Sequence, residues 1–147
     1  MDEDIEGDVG SLDIAALEEI REEFLALDGL VDDASFDSLL DPTELRIHLA
    51  DGIADATWCR FDIRWYQTGC YSVHHTDENG LDFRFDHHPK PDAPDRHFHH
   101  SPDADSVTVS CIEVTEPRLV ARAVHQLWRR AYETGETVSL NMAENPP

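Results

Sequence analysis

The stretch CRFDIRWYQTGCYSVHHTDENGLDFRFD, residues 59–86, decides the fold. Cys59, Phe61, Ile63 and Trp65 alternate with Arg60, Asp62 and Arg64; Tyr71, Val73 and His75 follow, then Leu81, Phe83 and Phe85. A period of two marks strands with one buried and one exposed face. Gln67-Thr68-Gly69 and Glu78-Asn79-Gly80 have the length of three-residue hairpin loops, each with a glycine where a positive φ is wanted. Loops of that kind set the register. Phe61, His75 and Phe83 then share one face, as do Ile63, Val73 and Phe85. On the other face, Asp62, His74 and Arg84 form one cross-strand row and Arg64, Ser72 and Asp86 the next. A slip of one residue would mix apolar and polar faces, so the alternation itself defends this register.

Working outward, Leu45, Ile47 and Leu49 alternate with Arg46 and His48 and predict a strand before Cys59. Residues 87–106 are rich in proline, histidine and aspartate without any period, and predict a long loop of the kind that carries function or stays disordered. Val107, Val109 and Cys111 suit a short fifth strand. Ile14, Leu17, Ile20, Phe24 and Leu27 recur at helical spacing, with Glu18, Glu19, Glu22 and Glu23 opposite them. Ser11 or Asp13 can cap this helix and Gly29 end it. Phe36, Leu39 and Leu40 suit one short turn before Pro42. A last helix starts at Thr115 or Glu116 with Pro117, buries Val120, Val124, Leu127 and Ala131, and stops at Gly135. The expected fold is α+β: a four- to five-stranded antiparallel meander sheet with an N-terminal and a C-terminal helix on one face. Residues 1–10 are expected as a disordered acidic N-terminus, 11–134 as the single domain and 135–147 as a loose tail.

At 147 residues, one domain buries enough surface to hold a core without staples. The chain carries 32 acidic and 11 basic side chains for a net charge of −21, and Lys90 is its one lysine. Such a charge opposes compaction in dilute buffer, but molar salt cuts the Debye length to ~3 Å and removes most of that penalty. The composition therefore points to a halophile's cytoplasm. Hydrophobic content of 40 % and clear periodicity exclude a wholly disordered acidic chain. No stretch approaches the ~18 apolar residues of a membrane span, and the acidic N-terminus is the opposite of a signal peptide. Cys59, Cys70 and Cys111 include no C-x-x-C spacing and read as reduced packing residues.

Three groups of residues can carry chemistry. Five of the nine histidines fall within 14 residues: His87, His88, His97, His99 and His100, beside Arg84 and Asp86. Clustered imidazoles next to an arginine and a carboxylate suit proton transfer or anion binding. Two histidine pairs joined by a loop also suit zinc, copper or nickel, although no sharp ligand spacing stands out. A solvated loop whose histidines bond their neighbours is the plainer alternative. The second group is the outward sheet face, where Arg46, Arg60, Arg64 and Arg84 lie with His48, His74 and His88. Guanidinium groups on a rigid sheet suit bidentate recognition of phosphate or carboxylate, and pairing with nearby acids suits them equally. The third is a basic stripe of Arg118, Arg122, His125 and Arg129 on the last helix, open to nucleic acid, to an acidic partner, or to the helix dipole alone. Glycine-rich phosphate loops, H-E-x-x-H and the nucleophile elbow are absent.

A meander of strands ending in Arg84-Phe85-Asp86, followed by His87-His88, a proline-bearing loop, His97, His99 and His100, and the helix Pro117–Tyr132, resembles the TumE-type toxins of small toxin–antitoxin pairs. The likeness runs from about Leu45 to Glu133. His87 stands where the family usually has Asn, and the acidic N-terminal helix has no counterpart in it. The resemblance implies a toxin-like component, here in a halophilic archaeal form, paired with a DNA-binding helix-turn-helix antitoxin and acting on RNA or nucleotides in the cytoplasm. With the residue pattern, it suggests Arg84, Asp86, His88, His97 and His99 as catalytic candidates and Arg60, Arg64 and His74 as anion-binding candidates, without metal or cofactor. From another class comes a non-enzymatic module that binds an anion or metal and docks a protein partner.

Overall fold

A computed structural model describes residues 10–88 and 96–143. Among them, seven strands follow one another in chain order as an antiparallel meander: β1 (Val31–Phe36), β2 (Leu45–Leu49), β3 (Cys59–Trp65), β4 (Tyr71–Asp77), β5 (Phe83–His87), β6 (Arg96–His99) and β7 (Val107–Val109). Helix α1 (Ile14–Leu27) precedes the sheet; α2 (Pro117–Thr134) and the single turn α3 (Val138–Asn141) follow it. The architecture is α+β as expected, but the sheet has seven strands rather than four or five.

The central register is the one that the alternation requires. Asp62 faces His74 and His74 faces Arg84, while Arg64, Ser72 and Asp86 form the neighbouring row. Gly69 and Gly80 take φ of 91° and 81° in the two hairpins, a conformation that side chains with a Cβ resist.

The two extra strands lie where periodicity is lost. β1, Val-Asp-Asp-Ala-Ser-Phe, fully buries only Ala34. It is held by pairing with β2 and by Arg21, whose Nε donates to the Ala34 carbonyl at 2.7 Å. The turn expected at Phe36–Leu40 is instead the end of this strand and a loop that leaves Leu39 and Leu40 bare to solvent. β6 falls inside the expected 87–106 loop and joins β5 to β7. Residues 89–95 of that loop lie outside the described residues, as do 1–9 and 144–147 of the two expected loose ends. Residues 135–143 are built into the fold: α3 buries Leu140, and Asn141 Oδ1 accepts from the Ser101 amide at 3.1 Å.

Both helices cover the apolar face of the sheet. The Phe61 ring lies 5.5 Å from Phe24 of α1 and 6.5 Å from Trp128 of α2. Asp13 caps α1 by accepting from the Ala16 amide, and Gly135 ends α2. Glu23 does not stay with the exposed glutamates of α1. It is buried at the seam with α2, where Arg118 and Arg122 bond its two carboxylate oxygens. Asp28 likewise receives Arg129 and contacts His125. The basic stripe of α2 therefore fastens α1 to the body of the protein. Cys59, Cys70 and Cys111 are free thiols, and burial pushes Cys59 up to about 12. No helix among the described residues is long and apolar enough to cross a membrane.

Candidate functional site

The face of the sheet turned away from the helices carries the polar half of every alternating strand. Added strands lengthen the two central rows. Arg84 faces His99, which faces Val107, and Asp86 faces His97, which faces Val109. An open cleft of about 840 Å³ lies along this face, and Glu44, Asp62, Arg64, His74, Arg84, Asp86 and His88 contribute to its walls.

Asp86 is the buried centre of the cluster. Arg84 Nε donates to its Oδ2 at 2.9 Å, and His99 Nε2 lies 3.0 Å from the same oxygen. Burial by itself would raise the Asp86 pKa. The hydrogen bond to His99 and the charges of Arg84 and His99 outweigh it, so the carboxyl stays below its ordinary value and is ionised at neutral pH. His99 Nε2 also lies 3.0 Å from Arg84 Nη2. One ring nitrogen cannot serve both neighbours at once. Carrying a proton, it donates to Asp86; bare, it accepts from Arg84. The proton on His99 is thus coupled to a guanidinium and a carboxylate at the edge of an open cleft.

Three of the five clustered histidines share this face. Ring centroids of His88 and His97 are 5.7 Å apart, and those of His97 and His99 are 6.4 Å apart. His88 Nδ1 is buried without a hydrogen-bond partner among the described residues. The other two turn to the opposite side: His87 packs against Tyr71, and His100 against Phe98. Among the described residues, no group of three or more His, Cys, Asp or Glu side chains is arranged to hold a metal ion.

The outward arginines are paired with carboxylates. Arg64 reaches Glu44 at 3.3 Å, and Arg46 donates to the same residue at 2.8 Å. Arg60 Nη2 donates to Asp62 Oδ2 at 3.0 Å. His74 Nε2 lies 2.6 Å from Asp82. Arg64 and His74 line the main cleft, whereas Arg60 lines a second one with Arg46 and His48. The three anion-binding candidates therefore do not form one group. With two arginines against three carboxylates, the main cleft is close to neutral in a chain of net charge −21. Glu44 belongs to this network without standing out in the sequence, because it lies in no outward row of the central strands. No sequence signal short of the fold itself pairs Glu44 with Arg64.

The family model described as Toxin TumE matches residues 21–134, a span that begins inside α1, includes all seven strands and ends with α2. The match therefore takes in the second half of the acidic helix, which the likeness from Leu45 to Glu133 leaves without a counterpart. No curated protein matches the chain, and no solved structure does.

Proposed function

Because this chain belongs to the TumE toxin family, we propose that its outer sheet face acts on the phosphate groups of RNA or of a nucleotide, with Arg84, Asp86 and His99 at the centre. The observation that supports this reading is the position of His99 Nε2, at 3.0 Å from both Arg84 Nη2 and Asp86 Oδ2 beside the cleft. In this role Arg84 holds an anionic oxygen, which its planar fork suits better than a lysine would. His99 moves a proton, and ionised Asp86 steadies the charged imidazole. His88, whose Nδ1 has no hydrogen-bond partner among the described residues, is the second proton carrier in the cleft wall, and His97 packs between the two rings. Arg64 and His74 extend the cleft along the path of a bound chain; Arg60 contributes from the neighbouring cleft. A toxin family implies an antitoxin partner, and a helix-turn-helix protein is the proposed type. Cytoplasmic action in a halophilic archaeon fits the target and the acidic composition.

The net charge weighs against tight binding of long nucleic acid, since phosphate contacts depend on cations. The near-neutral cleft and high intracellular salt reduce that objection without a general basic surface. A second reading has its own support: Arg60, Arg64 and Arg84 are all already paired with carboxylates, as befits a charged scaffold that docks a protein partner without turnover.

Induction in a host lacking the antitoxin tests the proposal, together with incubation of the purified chain with RNA and with free nucleotides. Growth arrest that Arg84→Ala and His99→Ala each abolish, accompanied by a covalently altered RNA or nucleotide, is the expected result. Harmless induction sinks the toxin reading; arrest that survives both substitutions sinks the site.

A further inference from the structure

The two edges of the sheet are finished differently. On β1 the outer carbonyl of Ala34 is taken by Arg21, and Asp32 and Asp33 place charges along the strand. These are ordinary guards against unwanted strand pairing. Among the described residues, β7 has none of them. Ser106-Val107-Thr108-Val109-Ser110-Cys111 holds no charge in a chain that is 29 % charged, and Val107 and Val109 stay 51 % and 58 % exposed.

The direction of the open backbone groups follows from the ladder. The His100 amide donates to Ser106, and the Ser110 amide donates to Arg96. Alternation along an antiparallel pair then turns the N–H and C=O of Val107 and Val109 away from β6. Among the described residues no strand lies beyond them. Their side chains stand on the same face as His99 and His97, directly across the ladder. A strand added here would pair with two open residues and lie beside the candidate site.

We infer that β7 is the docking edge for the antitoxin, which adds an extended segment to the sheet as an eighth strand next to His97 and His99. The segment has apolar or β-branched residues at alternate positions and basic residues at its ends. Its basic character follows from the surroundings: Asp103 and Asp105 stand exposed before β7, and Glu113 and Glu116 after it. Asp105 is held above its usual range by the hydrogen bond and charge of Asp103, a sign of crowded negative charge that a cation would relieve. A second copy of this chain would bring another −21 to the same edge, so charge favours a different partner. Strand addition of this kind draws its affinity from main-chain hydrogen bonds and its selectivity from alternate side chains.

The inference rests on membership in a toxin family and on no particular chemistry at His99. Amide hydrogen exchange of the full chain, alone and with its purified cognate antitoxin, tests it. The Val107 and Val109 amides are expected to slow at least tenfold in the complex. Val109→Pro removes one outward N–H that no described residue bonds in the free protein, and is expected to weaken antitoxin binding at least tenfold. Val107→Lys with Val109→Lys leaves the backbone intact and is expected to weaken it as well, by opposing a basic partner. Protection confined to other places, such as the Leu39–Leu40 loop or α2, overturns the inference, and so does unchanged affinity in both variants. A free chain that is already dimeric with both amides protected overturns it too, because a second copy then holds the edge. Failure of the proposed chemistry is read separately, from Arg84→Ala and His99→Ala, neither of which alters the β7 backbone.

Discussion

His99 Nε2 lies 3.0 Å from Asp86 Oδ2 on a diagonal of the β5–β6 ladder, since Asp86 directly faces His97 and His99 directly faces Arg84. The diagonal brings one carboxylate oxygen under both a guanidinium and an imidazole. Asp86→Asn keeps the shape and removes the negative charge that Arg84 and His99 both contact. It is expected to abolish growth arrest on induction, while Asp86→Ala is expected to lower stability by about 1–3 kcal/mol as well. The lower part of that range is favoured, because Arg84 is 37 % exposed and can turn to water. Urea unfolding of both variants, with growth after induction, separates the two effects.

His75 lies in the core, stacked 4.4 Å from Phe83 and edge-on to Phe61. Burial depresses its pKa to about 3, so the folded protein keeps it neutral while the unfolded chain protonates it near pH ~6.5. Its neutral form is fully compatible with folding above that value. As pH falls from about 6.5 towards 3, the unfolded state gains a proton that the folded state refuses, and stability drops by about 1.4 kcal/mol per pH unit. His75→Phe keeps the stack and should flatten the profile in that window. Denaturant midpoints at a series of pH values check it; an unchanged slope would rule the assignment out.

How far the sequence discloses this structure depends on where the governing partner lies. The register of β3, β4 and β5 is legible because alternation and two glycine turns act within about ten residues of each other. β1 and β6 are not. Val31–Phe36 contributes one fully buried apolar side chain, and its place is fixed by Arg21 and by β2. Arg96–His99 has a single apolar residue, Phe98, which stacks on Phe85, 4.6 Å away. Glu23 has the sequence appearance of a solvent residue, since only the approach of Arg118 and Arg122, about a hundred residues later, makes its burial tolerable. The candidate site is half legible for the same reason. Arg84 and Asp86 follow from register, but the contact of both with His99 needs a strand that no periodicity announces.

The seam between α1 and α2 should be sensitive to acid. Burial would raise the Asp28 pKa, but the hydrogen bonds to His125 and the Leu30 amide and the charge of Arg129 bring it below its ordinary value. The arginine bonds do the same for Glu23. Stability from these carboxylates is present above their unfolded pKa values near 4 and is lost as pH falls through the lower folded values. Asp28→Asn is expected to make the acid limb of the stability curve shallower below about pH 4. Circular dichroism at graded pH gives the comparison, and parallel acid limbs would show that the seam carries no such coupling.

Salt acts on two electrostatic effects of opposite sign. The net charge of −21 makes the chain repel itself, and screening relieves that. The ion pairs of Arg118 and Arg122 with α1 and of Arg129 with Asp28, just past its end, lose strength under the same screening. Exposed pairs contribute little, commonly ~0–1 kcal/mol each, whereas 32 acids against 11 bases act over the whole surface. Repulsion therefore outweighs the pairs, and stability should rise as KCl is increased from about 0.1 M, where the Debye length is ~10 Å, towards 1 M, where it is ~3 Å. Thermal melts over that series test the sign. Because Glu23 is buried and its pairs are screened less than surface ones, Glu23→Gln should lower the whole curve without reversing its slope. A melting temperature that falls with KCl in the parent chain would mean that specific pairs, rather than net charge, govern its stability.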